Sequence, residues 1–407
     1  MQNVEKTQLV RSNELEPVRI QTLIIGRGAV GSMFQRELSG SQQKSETPAT
    51  KEQQADVQII SHREITPATL ASAELIILAT PNHSVEEMIT EILERAEGEL
   101  PPILLIQNGV GVVEKAHAAQ LAIEATGRPH QELHLIRASV FTQVSQTDDE
   151  LAYNDKKLRI ALANAGCTQL QLSMVKTLLE QAGFQVLTGE KQKNGAEDAF
   201  DYKELEEMKL LANMIGASST VTGMSPKETF ADPDLFDIEL EAFSDRLDLL
   251  RVKNKNLLDI GWIKTSFFPM FKAVSKLGRH SGIVRSLFAL VIAKQRNNQP
   301  SAAWSRVEVN GDITEAIHYF SAWSEISASV PDEDRPALRL DRAMVNILSR
   351  QASGELQLGL LKPEARKRIL LEALKNPDGY EPELKPDDYL PKEVEQNDVD
   401  PTDDTQS

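Results

Sequence analysis

The chain has 407 residues, with 61 acidic against 44 basic side chains, a net charge of −17, 41% hydrophobic and 5% aromatic residues, and one cysteine. At roughly 100 to 200 residues per domain, this length calls for two or three domains with sizeable cores, which excludes disulfide-dependent miniature scaffolds and disordered chains. The acidic balance argues against a general nucleic-acid binder, whose affinity would rest on a basic surface.

A lone Cys167 cannot form an internal disulfide, and the opening MQNVEKTQLVRSNELEPVR lacks the apolar stretch of a secretory signal, so a cytoplasmic location is expected. The most lipid-like run, Leu287 to Ala293, is far shorter than the roughly 18 to 20 residues that cross a bilayer, so no stable membrane insertion is expected.

Residues 1–18 read as an N-terminal arm. Arg19 to Ile25 is an apolar run ending at Gly26, and Ala29 to Leu38 has helical spacing. Residues 39–56 are polar and low in complexity, the composition of a loop-like insertion. Val57 to Ser61, Glu74 to Ala79, Ile103 to Ile106, Leu133 to Val140, Leu158 to Ala163 and Phe184 to Leu187 read as strands, with helical patterns at Val85 to Ala96 and Leu170 to Ala182. Strands alternating with helices predict an α/β domain over 19–190, a Rossmann-type doubly wound parallel sheet covered on both faces.

From 199 to 350 long helical patterns dominate, including Leu205 to Thr222 and Leu235 to Leu250, and predict an all-helical second domain for substrate and dimerisation. A helical extension over 351–376 follows. Residues 377–407 carry −9 and five prolines, and are expected to form an acidic disordered tail. Residues 261–300 hold seven Lys or Arg and no acid, which reads mainly as a solvated helix face with some core contacts.

Gly26-Arg27-Gly28-Ala29-Val30-Gly31 has GxGxxG spacing after a predicted strand and at the start of a predicted helix. The first glycine permits the tight turn, the second lets a diphosphate approach the backbone, and the third brings helix and strand together. A dinucleotide is the expected ligand. The second strand ends Ser61-His62-Arg63 without the carboxylate that receives ribose hydroxyls in NAD-binding units, and Arg63 suits a 2′-phosphate. NADP(H) is therefore the expected cofactor.

Gln107-Asn108-Gly109 follows directly on a predicted strand, at the edge where doubly wound sheets bind ligands, and Asn108 can donate and accept at once. Lys209, Asn213 and Ala217 share one helix face at i, i+4 and i+8. An ammonium there could protonate a carbonyl oxygen as hydride arrives, although by spacing alone a helical lysine is usually a solvated surface residue. The histidines and Cys167 show no metal-ligand spacing, so no metal is expected.

These pieces, in this order, resemble the ketopantoate reductase (2-dehydropantoate 2-reductase) family over residues 20 to 330. The resemblance is carried by TLIIGRGAVGSMFQREL, ILLIQNGVGVVEKA, the Ala182 to Val186 strand entry and MKLLANMIGASSTVTG. It implies an NADPH-binding Rossmann domain with a helical partner, Lys209 as general acid with Asn213 four residues on, and Gln107 and Asn108 beside the nicotinamide and substrate. It further implies Ser301 on the substrate carboxylate and Glu315, within Thr314-Glu315-Ala316-Ile317, on the substrate. Departures are Ala217 in place of a second asparagine, no tryptophan before Lys209, Thr80-Pro81-Asn82 in place of a lysine, and Phe320-Ser321 in place of an asparagine-glycine.

The expected function is NADPH-dependent reduction of a 2-keto acid, first of all 2-dehydropantoate to pantoate in pantothenate biosynthesis. The expected partners are a small-molecule keto acid and a second copy of the chain in a homodimer. A reductase of a different keto acid, and a non-catalytic or regulatory NADPH-binding homologue, stay open as alternatives.

Overall fold

The computed structural model describes residues 20–43, 57–146, 150–153, 158–191, 197–254, 280–295 and 313–390, together with 273, 277, 278, 303 and 307. Their contacts divide the chain into two compact units, the division falling after Leu210.

The first unit runs β1 (Thr22–Ile25), α1 (Ala29–Gln43), β2 (Val57–Ile60), α2 (Pro67–Ala71), β3 (Leu75–Leu78), α3 (Val85–Arg95), β4 (Ile103–Leu105), α4 (Val112–Ala125) and β5 (Leu135–Val140). It continues with the hairpin β6 (Val144–Gln146) and β7 (Leu151–Tyr153), then β8 (Arg159–Asn164), α5 (Gln169–Gln181), β9 (Gln185–Leu187), the small pair β10 (Gly189–Lys191) and β11 (Glu197–Ala199), and most of α6 (Tyr202–Asn213), whose residues from Leu211 on belong to the second unit.

Seven strands form one sheet in the order β2-β1-β3-β4-β5-β8-β9. The central runs, β1, β3, β4 and β5, are buried on both faces. Ile24, Ile77 and Leu104 pack with Met33, Phe34 and Leu38 of α1 and with α5, while Leu23, Ile25, Ile76, Leu78 and Leu105 pack with Met88 and Ile92 of α3 and Val113 and Ala116 of α4. That alternation is the period of two turned to opposite faces. The sheet departs from the fully parallel expectation at one junction, where β5 and β8 run antiparallel with Ala138 opposite Leu162. The chain returns there through the β6–β7 hairpin, which needs no crossover helix.

Two further expectations are corrected here. The polar insertion begins later than residue 39, because α1 continues through Ser39-Gly40-Ser41-Gln42-Gln43; residues 44–56 lie outside the described part. The single helix expected over Leu205 to Thr222 is two, α6 and α7 (Ser219–Thr222). Gly216 adopts φ +77°, a conformation that halts a helix, and the buried Glu239 carboxylate accepts from Gly216 N at 2.9 Å and Ser218 N at 2.6 Å. Burial pushes the Glu239 carboxyl up against these hydrogen bonds.

The second unit is helical: α7, α8 (Pro226–Ala231), α9 (Pro233–Lys253), α10 (Gly282–Gln295), α11 (Ile313–Ala328), α12 (Arg339–Ala352) and α13 (Pro363–Ala373). Phe230, Phe236 and Phe288 meet edge to face in its core. Buried Arg246 and Asp341 form an ion pair at 2.7 Å between α9 and α12. Of the basic segment, α10 buries Phe288, Ala289 and Ile292 and leaves Ile283, Leu287, Leu290 and Val291 exposed. No helix among the described residues is long and apolar enough to cross a membrane.

Residues 377–390, expected within a disordered tail, are held against the second unit. Asp388 is buried and accepts from Arg368 Nη2 at 2.6 Å and Lys385 N at 2.7 Å. Leu390 N donates to Leu360 O at 2.8 Å, and Tyr380 is buried. Pairing with arginines of α12 and α13 offsets the ordering cost that composition alone assigns to this stretch. Residues 391–407 lie outside the described part.

On α9, burial and the neighbouring Glu241 push the Asp245 carboxyl up to about 6 from its ordinary 3.8. Well below pH 3.8 folded and unfolded chains both hold the proton, so the group contributes no difference. As pH rises toward 6 the unfolded chain releases it first, and stability falls. Asp245→Asn should therefore raise stability at pH 8 by about 1 kcal/mol, after allowance for solvent screening of a partly buried group. The gain should shrink to a small fraction of its pH 8 value near pH 4 in urea titrations, and a gain independent of pH would refute this origin.

Candidate active site

The carboxyl ends of β2, β1, β3, β4 and β5 lie side by side in that order, and the residues singled out by sequence in this unit fall along that row. The direction of the chain reverses its walk between β1 and β3, the place where open α/β sheets leave a crevice for ligands.

At β1 the three glycines differ in what surrounds them. Gly26 adopts φ +122°, and a Cβ on it would stand 2.7 Å from Ala79 O, beyond the end of β3. A Cβ on Gly31 would stand 2.0 Å from Gly26 O, so α1 can approach β1 only without one. Around Gly28 nothing lies within 4 Å of the corresponding position. α1 begins at Ala29, so the amides of Ala29, Val30 and Gly31 are first-turn donors without intrahelical acceptors. The turn thus presents N–H groups and a helix dipole to open space, an arrangement that suits a diphosphate.

At β2, Arg63 is exposed within a short turn, His62–Glu64. The carboxylate thought missing from this strand end comes one residue later. Glu64 accepts from Ser61 N at 2.7 Å and from Arg27 Nη2 at 2.9 Å. The Ser61 hydrogen bonds, followed by Arg27, hold its carboxyl below the usual range. Two guanidiniums and one engaged carboxylate therefore mark this end.

At β3 and β4, Asn82 is buried and its Oδ1 and O accept from Lys115 Nζ of α4 at 2.9 and 3.3 Å. A lysine thus reaches the place where sequence reading noted one missing, by a route from another helix. Gln107 is buried and donates Nε2 to Leu78 O at 2.7 Å, while its Oε1 and the Thr80 hydroxyl have no partner among the described residues. Asn108 is partly buried beside it.

At β5, Lys209 donates from Nζ to Val140 O at 2.6 Å and lies 4.4 Å from the centre of the Phe141 ring. The lysine is half-buried at the sheet edge. Asn213 follows one turn later as the last residue of α6 and is partly buried.

Sequence reading missed what joins the last two stations. Arg137, in the middle of β5, is 1% exposed, and Glu206, on α6, is 2% exposed. They pair at 2.6 Å, and Glu206 also accepts from Gly111 N at 2.7 Å. A charged residue inside the run Leu133 to Val140 was the available signal. Burial pushes the Glu206 carboxyl up and Arg137 pulls against it.

The remaining expectations fall in the second unit. Glu315 is buried on α11 and accepts from Tyr319 OH at 2.8 Å. Ala217 and Phe320 are fully buried. Ser301 lies outside the described residues. Among the described residues no group of three or more metal-ligating side chains forms a metal site. Cys167 is buried, which pushes its thiol up to about 11.

Residues 22–165 match the family model of ketopantoate reductase PanE/ApbA. Over these residues the chain resembles the ketopantoate reductase family. Solved structures agree in fold. A PanE/ApbA family ketopantoate reductase from Ralstonia eutropha JMP134 is 14% identical with a TM-score of 0.54, over 82% of this chain and 99% of that one. A dimeric ketopantoate reductase from Staphylococcus aureus is 13% identical with a TM-score of 0.52, over 82% and 99%. D-mandelate dehydrogenase in complex with NADH is 14% identical with a TM-score of 0.51, over 83% and 100%. No curated protein sequence matches the chain.

Proposed function

We propose that this chain is an NADPH-dependent reductase of a 2-keto acid, with 2-dehydropantoate as the first substrate to test. The observation that carries this reading is the row of groups along one sheet edge: Arg63 and Arg27 beside β2, the open glycine turn at β1, Gln107 and Asn108 at β4, and Lys209 at β5. At about 4.8 Å per strand step the row spans roughly 19 Å, room for an extended dinucleotide with its ribose phosphate over β2 and its nicotinamide toward β5.

The residues present fit such a cofactor, since the space over Gly28 and the Gln107 Oε1 and Thr80 Oγ1 atoms, without partners among the described residues, are features a bound polar group would complete. Bound in reduced form, it supplies a hydride to the carbonyl carbon. The amides of residues 29–31 hold the diphosphate, and the guanidiniums of Arg27 and Arg63 hold the 2′-phosphate. Asn108 and Asn213 are assigned to the keto oxygen on the family resemblance. Lys209 transfers a proton from Nζ to that oxygen as its charge grows, leaving a neutral amine and the hydroxy acid. Ser301 and Glu315 are assigned to the substrate's other polar groups on the family resemblance.

The test is loss of the reduced-nicotinamide absorbance with purified protein, NADPH and a panel of 2-keto acids including 2-dehydropantoate. Steady loss supports the reading, and absence of nucleotide binding would end it. Arg63→Ala should weaken NADPH by about tenfold, on the order of one charge-assisted hydrogen bond, and leave NADH unchanged. An equal effect on both nucleotides would move the 2′-phosphate elsewhere.

A second reading, a nucleotide-binding homologue without turnover, is favoured by the engagement of Lys209 with Val140 O and the Phe141 ring. NADPH bound tightly and never oxidised across the panel would select it. We further propose a homodimer, the state named for the Staphylococcus aureus ketopantoate reductase; sedimentation at monomer mass would overturn it.

A further inference from the structure

We propose that Arg137 and Glu206 are a positioning pair that sets the Asn108 loop against the helix carrying Lys209, and that turnover depends on it. This inference rests on the reductase reading and adds to it two residues outside the reacting groups.

The geometry is unusually complete for a buried charge. Arg137 Nε donates to Glu206 Oε1 at 2.6 Å. Its Nη1 donates to Leu105 O at 2.9 Å and Ala138 O at 2.5 Å, and its Nη2 to Gln107 O at 2.7 Å and Gly109 O at 3.2 Å. All five N–H groups of the guanidinium are thereby used. Three of the four carbonyls belong to the segment from the end of β4 through the loop, on both sides of Asn108. Glu206 fixes the far side of the same loop through Gly111 N at 2.7 Å, and Gly111 takes φ +75° at the start of α4.

Glu206 lies three residues before Lys209, so the two are neighbours along α6. Lys209 is tied in turn to Val140 O, three residues after Arg137 on β5. Asn108 and Lys209 are thus referred to one rigid bracket made of β5, its arginine and the α6 glutamate. A fold that needed only a filled core would be served as well by two apolar side chains of similar volume, since burying an ion pair is costly and its replacement is often neutral or stabilising. What two apolar residues cannot do is hold five loop and strand groups in place. A lysine at 137 would not do it either, having three donors and no planar fork.

The test uses the full chain with Glu206→Gln, Arg137→Lys and the double variant Arg137→Met with Glu206→Leu. The double variant guards against a simple folding failure, because it leaves no unpaired charge. Hydrogen exchange read by mass spectrometry should become at least tenfold faster in peptides covering 106–113 in all three, with β1, β3 and α3 unchanged. Turnover should fall by about 10- to 100-fold, as for misplaced catalytic groups, in kcat more than in KM, with NADPH affinity falling by much less than turnover.

Unchanged exchange in the loop would overturn the bracket. A loosened loop with turnover equal to the parent protein would overturn its role in the reaction. If the parent protein oxidises no NADPH with any keto acid while the variants' loops loosen, the reductase reading and the dependence of turnover both fall, and the pinning of the loop stands by itself.

Discussion

Lys209→Ala should lower turnover by about 10²- to 10⁴-fold while NADPH affinity stays within about threefold of the parent protein. The ammonium sits at the β5 end of the row, 2.6 Å from Val140 O, away from the glycine turn at β1, so its removal spares the groups proposed for the diphosphate. Lys209→Arg keeps the positive charge and a cation over the Phe141 ring, yet a guanidinium does not release a proton near neutral pH. Its turnover should stay low as well. Activity close to that of the parent in either variant would remove Lys209 as the acid, and titration of NADPH by fluorescence separates this from lost binding.

Gly31→Ala and Gly28→Ala should fail in different ways. A methyl at 31 would stand 2.0 Å from Gly26 O, so α1 must move away from β1, at a cost of about 3 kcal/mol in stability. Nucleotide binding should be lost with it. A methyl at 28 meets nothing within 4 Å, and stability should change by no more than about 0.5 kcal/mol. NADPH affinity should nevertheless fall about tenfold or more, because the methyl occupies the approach to the helix amides. Thermal melting and calorimetric titration of both variants check this. Undiminished affinity in Gly28→Ala would mean that the turn is structural only.

Much of the first unit was legible because its elements are locally determined. Branched-aliphatic runs such as Leu75–Leu78 are buried on both faces, and GxGxxG after the first of them forces a strand-to-helix turn. The helix break at Gly216 had a local signal in the glycine itself, but the carboxylate that caps it lies 23 residues away in sequence and was not legible. Nor was the order in residues 377–390, where individual ion pairs outweigh a composition that suggests disorder. At the site, the spacing of Lys209 and Asn213 could be read. The Glu64 carboxylate was overlooked one residue beyond the strand end, and the Arg137–Glu206 pair depends on a contact across 69 positions that no local pattern encodes.

The completeness of the Arg137 guanidinium also constrains how a keto acid would be chosen. An arginine beside such a cleft would ordinarily be the counter-ion for the substrate's carboxylate, gripping it through two parallel N–H groups. Here every N–H already has an acceptor inside the protein. Selectivity for the acid group must then come from donors elsewhere, and an inhibitor designed to reach this arginine would have to dismantle the loop before it gained a single contact.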